Sequence, residues 1–209
     1  MKKIFLLFTA ALLSAGMVFA QDINQATENY NNGAMELQMG NNEAAITYFQ
    51  TALEMAEALG EEGAEVAANC RSIIPAIYLS SAKEQIKADN FDAAVEQLGK
   101  AIEAAGKYEV PEVADDANAL MPQVYLSKGN GFLQAKNFPE AEAAYKQAIE
   151  LDATNGMAYF RLGQALASQN KVADAEAAYV QAAANGQEKN ANKQLSNMFV
   201  KLAQAANKA

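Results

Sequence analysis

Small and large apolar residues recur at intervals of three and four positions along the chain from about residue 23 onward. This period places them on one face of successive α-helices, and short segments rich in Gly, Asn and Asp separate the runs. The pattern therefore predicts an all-α chain. The predicted helices span residues 23–39, 43–59, 64–88, 91–105, 111–135, 138–151, 156–169, 172–184 and 188–207.

One arrangement of small and large residues occurs four times. It consists of a small residue, an Ala twelve positions later, a large apolar residue four positions after that Ala, and a second Ala after three more. Small residues let two helices approach closely and the large residue fills the space between them, so each set predicts a helix hairpin. The sets are Gly33-Ala45-Phe49-Ala52, Ala82-Ala94-Leu98-Ala101, Gly129-Ala141-Tyr145-Ala148 and Gly163-Ala175-Tyr179-Ala182.

The last two sets are 34 residues apart and resemble the tetratricopeptide repeat (TPR) family, in the form found in exported bacterial proteins. The earlier repeats depart from the family pattern, with Asn29 and Asn32 at an aromatic and a Leu position and Ala82 in place of Gly. The resemblance implies a right-handed α-solenoid of antiparallel helix hairpins, with four repeats and a C-terminal capping helix. The matching residues are Tyr159, Leu162, Gly163, Leu166, Ala175, Tyr179 and Ala182 in the fourth repeat, and Tyr125, Gly129, Phe132, Ala141, Tyr145 and Ala148 in the third.

The two earlier periods are 49 and 47 residues, and we interpret the extra residues as extended helices. Pro75 and Pro122 are expected to start or kink these helices, and Gly60 and Gly106 to end the helices before them. The predicted cap packs through Leu195, Met198, Phe199, Leu202 and Ala206; a membrane-surface helix is the alternative. The expected organisation is one domain over 21–209, with repeats at about 26–59, 75–108, 122–155 and 156–187 and a cap at about 188–207.

The first twenty residues have the layout of a cleavable secretory signal. Lys2 and Lys3 precede an apolar run from Ile4 to Leu13, and Val18-Phe19-Ala20 provides a cleavage position. That run is shorter than the roughly 20 residues that span a bilayer. We therefore expect cleavage after residue 20, no stable membrane insertion afterwards, and export to the periplasm, with release from the cell as the alternative.

The composition argues against catalysis. The chain has no His and one Cys, Cys70, so Ser-His-Asp and Cys-His arrangements, His-containing zinc sites and an internal disulfide are excluded. The adjacent carboxylates at 61–62 and 115–116 do not face each other on a helix, and the glycine-rich segment 128–131 lies inside a predicted helix rather than after a strand. We expect no enzyme activity, no cofactor and no metal site.

Charge is distributed unevenly. The net charge is −9, which disfavours nucleic acid as a partner. Residues 21–120 contain 18 acidic and 5 basic residues, whereas 121–209 contain 7 acidic and 9 basic. This asymmetry suits a basic partner or head-to-tail self-association, but the solubility of a secreted repeat stack also explains it and is the favoured explanation.

The resemblance implies that the first helices of successive repeats line a concave groove. Amides, hydroxyls, cations and aromatic rings at those positions suit an extended peptide, which needs hydrogen-bond partners and small pockets. We predict a non-enzymatic interaction scaffold of the cell envelope that binds a protein or peptide segment; the alternative is a structural component of an envelope assembly that uses its convex face or self-association. The candidate groove residues are Tyr30, Asn31, Ser80, Lys83, Lys87, Ser127, Asn130, Gln134, Phe160, Arg161 and Gln164.

Overall fold

The computed structural model describes residues 23–207, where all regular secondary structure is helical. The predicted helices are confirmed, with ends that agree to within three residues; the predicted signal segment 1–20 lies outside the described residues. The helices are α1 (23–38), α2 (Asn42–Ala58), α3 (Ala64–Lys87), α4 (Phe91–Tyr108), α5 (Pro111–Gln134), α6 (Phe138–Leu151), α7 (Gly156–Ser168), α8 (Val172–Ala182) and α9 (Glu188–Ala206). A 3₁₀ turn, Gly60–Gly63, follows α2, and a π-helical turn, Ala183–Gln187, joins α8 to α9.

The described residues form two compact units. The first contains residues 23–81 and Gly99–Ala114, and the second contains Ala82–Leu98 and 115–207. The core of the first unit is built on Phe49, Ile74 and Ile77, and buried Cys70 belongs to it. The second unit includes a core of alanines, Leu162, Leu166 and the rings of Tyr145 and Tyr179.

In three of the hairpins, a glycine on the first helix packs closely against an aromatic ring on the second helix. A Cβ atom placed on Gly129 would lie 2.5 Å from Cε1 of Tyr145, and one placed on Gly33 would lie 3.1 Å from the ring of Phe49. The fourth repeat has the same arrangement. The spacing of small and large residues in the sequence thus corresponds to the packing of one helix of a hairpin on the other.

The turn inside each hairpin has the same backbone hydrogen bonds. In the first, the N–H of Gly40 donates to the carbonyl of Leu37 (3.0 Å) and the N–H of Asn41 to that of Glu36 (2.9 Å). This pattern caps a helix C-terminus with one residue in the left-handed region. The left-handed residues are Gly40, Asp89, Lys136 and Asn170, with φ of 80°, 57°, 61° and 60°.

Two expectations about helix ends need correction or refinement. Gly106 does not end α4, because the helix continues to Tyr108 and the left-handed residue is Glu109, with φ of 59°. Pro75 and Pro122 do not start helices but lie inside α3 and α5. Gly60 follows α2 with φ of 60°, as expected of a residue that ends a helix.

The capping helix packs over only part of its length. Leu195 and Met198 contact the core of the second unit, and Ala191 is fully buried. Phe199 and Leu202, expected on the packed face, are 46% and 40% exposed. The expected apolar face was therefore too long, because the packing of α9 weakens beyond Met198.

Candidate functional site

A polar cluster in the second unit is organised around a buried tyrosine. The ring of Tyr145 on α6 is fully buried, and its hydroxyl donates a hydrogen bond to Oδ1 of Asn130 on α5 (3.0 Å). Burial raises the pKa of Tyr145 to about 12, although the positive charge of Arg161 opposes the shift. The hydroxyl therefore stays protonated at neutral pH and remains a donor, which fixes the Asn130 side chain.

Arg161 lies on α7 and carries an incompletely bonded guanidinium group. Its Nη1 donates to Oε1 of Gln164, one turn along the helix (2.9 Å), and its guanidinium carbon is 6.0 Å from the ring centre of Phe160. Its Nε is buried and has no hydrogen-bond acceptor within the described chain. Within residues 23–207, Arg161 also forms no ion pair.

Asn130 and Tyr145 are hydrogen-bonded across α5 and α6, Arg161 and Gln164 are hydrogen-bonded within α7, and the charge of Arg161 acts on the Tyr145 hydroxyl, so we treat the four residues as one cluster. A buried N–H without an acceptor costs about 1–3 kcal/mol, which marks Arg161 as the incompletely satisfied residue of the cluster. A carboxylate suits a guanidinium best, because it accepts charge-assisted and often paired hydrogen bonds. The arrangement supports binding of an anionic or carbonyl group and contains no general base or nucleophile.

Other candidate residues of the second unit have different environments. Lys83 pairs with Asp116 (3.3 Å), so its charge is already partly neutralised, while Lys87 and Gln134 are exposed at the ends of α3 and α5. Ser127 is half-buried, one turn before Asn130. Phe160 is only 9% exposed and packs against the ring of Tyr179 at 5.9 Å between centres. It is therefore a core residue rather than an exposed contact.

The first unit contains the remaining candidates. Tyr30 is half-buried and meets the ring of Phe49 edge-on, with centres 5.3 Å apart, so much of its surface serves the core. Asn31 and Ser80 are exposed. The structure brings none of these three into a polar cluster comparable with the one around Tyr145.

The segment between α6 and α7 is a turn and a helix cap. Oδ1 of Asp152 accepts hydrogen bonds from the N–H (3.0 Å) and hydroxyl (2.7 Å) of Thr154, and Oδ1 of Asn155 accepts from the N–H of Ala158 (3.0 Å). The Asn155 oxygen satisfies a free amide in the first turn of α7, and the Asp152 oxygen stabilises the turn that precedes the helix. Within residues 23–207 the structure has no cluster of His, Cys, Asp and Glu suited to a metal ion. None of the helices in that range is both long and apolar enough to span a bilayer.

The sequence pattern did not place Tyr145 at the site. Its position in the repeat marks it as a packing residue, equivalent to Phe49 and Leu98. The residue type was the one sign that Tyr145 takes part in a polar site, because the hydroxyl of a buried tyrosine is normally hydrogen-bonded. The equivalent first-repeat residue, Phe49, has no such group.

Comparison with protein families identifies the repeats. Two family models, both described as "Tetratricopeptide repeat", match residues 22–59 and 126–192, which together make up half of the chain. The chain therefore belongs to the tetratricopeptide repeat family over these segments, and its fold class is an all-α TPR solenoid. TPR domains are protein–protein interaction scaffolds and are typically non-catalytic.

Solved structures similar to this chain are also TPR proteins. The first TPR of Spaghetti (RPAP3) bound to the HSP90 peptide SRMEEVD is 20% identical, covering 63% of this chain and 95% of that one, with a TM-score of 0.42. The Arabidopsis OM64 TPR domain is 21% identical, covering 61% and 98%, with a TM-score of 0.39. Pseudomonas aeruginosa pilF is 15% identical, covering 90% and 95%, with a TM-score of 0.37. No curated protein matched the chain.

Proposed function

We propose that this chain is an exported, non-enzymatic adaptor of the cell envelope that binds an extended peptide segment of a partner protein. The proposed contact in the second unit is the cluster of Asn130, Arg161 and Gln164, with Ser127 and Lys87 as further polar residues. Arg161 is its anchor. The partner segment carries an acidic side chain or a free C-terminal carboxylate at the position that meets this arginine.

The observation that carries the proposal is the state of Arg161. Its Nε is buried without an acceptor, and its charge is not balanced by an ion pair in the described residues. Lys83 and Lys128, in contrast, are each paired with an aspartate. A carboxylate from a partner would supply the missing negative charge to Arg161, which as a whole is only half-buried.

The neighbouring amides suit the backbone of an extended peptide. A peptide without secondary structure has one donor and one acceptor per residue that must be bonded on binding. Asn130 is held by Tyr145 through its oxygen, which leaves its NH₂ group as a donor toward a peptide carbonyl. A side chain that is fixed before binding loses less entropy when the peptide arrives.

The envelope location rests on the sequence of residues 1–20. A cationic start, an apolar run and small residues before Gln21 support export by a cleaved signal. N-terminal sequencing of the protein recovered from the periplasmic fraction would test this. Protein that retained residue 1 in the cytoplasmic fraction would contradict export.

The binding proposal is tested with peptides selected from a random library displayed on phage, using the purified chain as bait. Selected peptides are synthesised with a fluorescent label, and their dissociation constants are measured by fluorescence anisotropy. We expect the peptides to share an acidic residue or to need a free C-terminal carboxylate. We expect Arg161→Gln to weaken binding about tenfold or more, as loss of a charge-assisted hydrogen bond predicts.

Lys189→Gln is the matched control, because it removes one positive charge from an exposed position in the first turn of α9, outside the cluster. It should leave the affinity unchanged, and Asn130→Ala should weaken binding less than Arg161→Gln. Circular dichroism and thermal melting establish that each variant is folded. Peptides that bind the wild type and Arg161→Gln equally, or a selection that yields no binder, would show that the cluster is not the contact.

A further inference from the structure

The outer half of α9 presents apolar side chains that the chain itself does not cover. Val200 is 52% exposed and Phe199 46% exposed, and both follow the last core contact of the helix, Met198. A cavity of about 210 Å³ lies between α9 and α7–α8, lined in part by Met198 and Leu202. We use the term cap surface for Lys193, Phe199 and Val200, which lie away from the packed side of the helix.

The cap surface is also basic. Helix α9 contains one acidic residue, Glu188, and three lysines, Lys189, Lys193 and Lys201. All three lysines are exposed and form no ion pair within residues 23–207. A partner that covers the apolar side chains would therefore gain further by carrying negative charge.

The first helix has a surface of matching chemistry. Met35 and Met39 are 57% and 59% exposed, and Glu28 and Asn31 are exposed at positions that share their helix face. We use the term α1 surface for these four residues. Between residues 23 and 70 the chain has eight acidic residues and no Lys or Arg. The first unit therefore has exposed methionines in an acidic segment of the chain. The second unit has exposed Phe199 and Val200 on a basic helix.

We propose that the cap surface of one copy of this chain docks on the α1 surface of a second copy. Contact between unlike surfaces buries the exposed methionines against Phe199 and Val200 and brings Lys189 and Lys193 toward acidic residues. Contact between two cap surfaces would instead place lysines against lysines, which opposes it. The association is heterologous, so each copy uses both of its surfaces and chains of copies can form.

This inference goes beyond peptide binding and does not use Asn130 or Arg161. Its test is the oligomeric state of the purified chain, measured by sedimentation velocity over a range of about one hundredfold in concentration. We expect self-association that strengthens with concentration and weakens between 50 and 500 mM NaCl, because salt screens exposed charges. A monomer throughout this range would overturn the proposal.

Two single variants make the test specific. Phe199→Glu disables the cap surface and Met35→Glu disables the α1 surface, and both positions are exposed, so folding should persist. Each variant alone should raise the apparent dissociation constant at least tenfold. An equimolar mixture should recover a 1:1 complex, because one copy retains an intact cap surface and the other an intact α1 surface. Ala143→Glu, at an exposed position on α6, is the control and should associate as the wild type does.

Each alternative occupant gives a different result. If two cap surfaces paired with each other, Met35→Glu would associate as the wild type does, and the mixture would recover nothing beyond that variant's own dimer. If the surface served another protein or a lipid bilayer, the wild type would remain monomeric. Either result would contradict the proposed contact between copies.

Discussion

The ring of Tyr179 lies directly against Gly163, so closely that a Cβ atom on Gly163 would come within 2.6 Å of Cε1 of the ring. The tyrosine is 2% exposed and belongs to the core of the second unit, which leaves the ring little room to move. The contact joins α7 to α8. In the second repeat, Ala82 occupies the equivalent position and the equivalent large residue is the smaller Leu98, so the sizes of the two residues vary together.

Gly163→Ala is expected to destabilise the chain by about 1–3 kcal/mol, because the added methyl group overlaps a ring that cannot move away. Urea unfolding measures the change. Gly131→Ala is the control: Gly131 lies inside α5, and apart from the adjacent helix backbone no atom comes within 4 Å of the position that a Cβ atom would take there. That variant should be stabilised by about 0.5–1 kcal/mol, as expected for alanine in a helix. Equal stabilities for the two variants would contradict the close contact.

Stability should fall in acid through Glu142. Burial raises the pKa of this carboxyl, but hydrogen bonds from Lys146, Lys171 and Gln169 outweigh that effect and lower it to about 2. A pKa below that of the unfolded chain, about 4.3 for Glu, means that the carboxylate stabilises the fold above pH 4.3 and that this contribution disappears as pH falls toward 2. Glu142→Gln should therefore cost about 1–2 kcal/mol at pH 7.

The measurement compares urea unfolding of the wild type and Glu142→Gln between pH 7 and pH 2.5. The difference in unfolding free energy should be constant above pH 5 and should shrink below it. Glu150→Gln removes a carboxylate from an exposed position of the same helix and should show a much smaller effect. A difference between wild type and Glu142→Gln that does not change with pH would contradict the role of the carboxylate.

Tyr145→Phe removes the hydrogen bond to Asn130 and keeps the ring. We expect a loss of about 0.5–1.5 kcal/mol, and the double variant with Asn130→Ala should lose less than the sum of the two single variants. Thermal unfolding of the wild type, the two single variants and the double variant gives the coupling free energy between the two side chains. Tyr179→Phe is the comparison, because the hydroxyl of Tyr179 has no hydrogen-bond partner in the described residues. Full additivity would show that the bond contributes no stability.

Lys136→Gly should stabilise the chain by about 0.5–1 kcal/mol. Lys136 has φ of 61° in the turn between α5 and α6, and side chains with a Cβ are disfavoured there by roughly 1–2 kcal/mol, part of which is offset by the greater freedom of glycine in the unfolded chain. The reciprocal change, Gly40→Ala, should destabilise the chain by a similar amount. Chemical denaturation of both variants tests the prediction, which requires that the two changes in unfolding free energy have opposite signs.

Most of the fold followed from the sequence because its signals are local. Each hairpin is specified by residues no more than about twenty positions apart, and the left-handed turn residues always stand five positions before the first Ala of a set. The end of α4 was misplaced because glycine is only one of the residues that accept a positive φ. Glu109 ends that helix instead, and its side chain gives no such signal.

The site was less predictable because the groove positions identify a helix face and not the exposure of each side chain. Phe160 and Arg161 are adjacent at such positions, yet the phenyl ring turns into the core while the guanidinium reaches Gln164. The burial of the Arg161 Nε depends on how neighbouring helices pack around it. A pattern of residues along one helix does not describe that packing. The predicted roles of Tyr30, Asn31 and Ser80 stay predictions.

The distance along the chain between Gly163 and Tyr179 has a consequence for how the protein folds. The equivalent pairs at Gly33 and Phe49 and at Gly129 and Tyr145 are likewise 16 residues apart. Such short separations give a low contact order, which favours rapid folding. A hairpin can therefore form as soon as its own residues are free, and a chain released progressively, N-terminus first, can begin to acquire its structure before its last helix arrives.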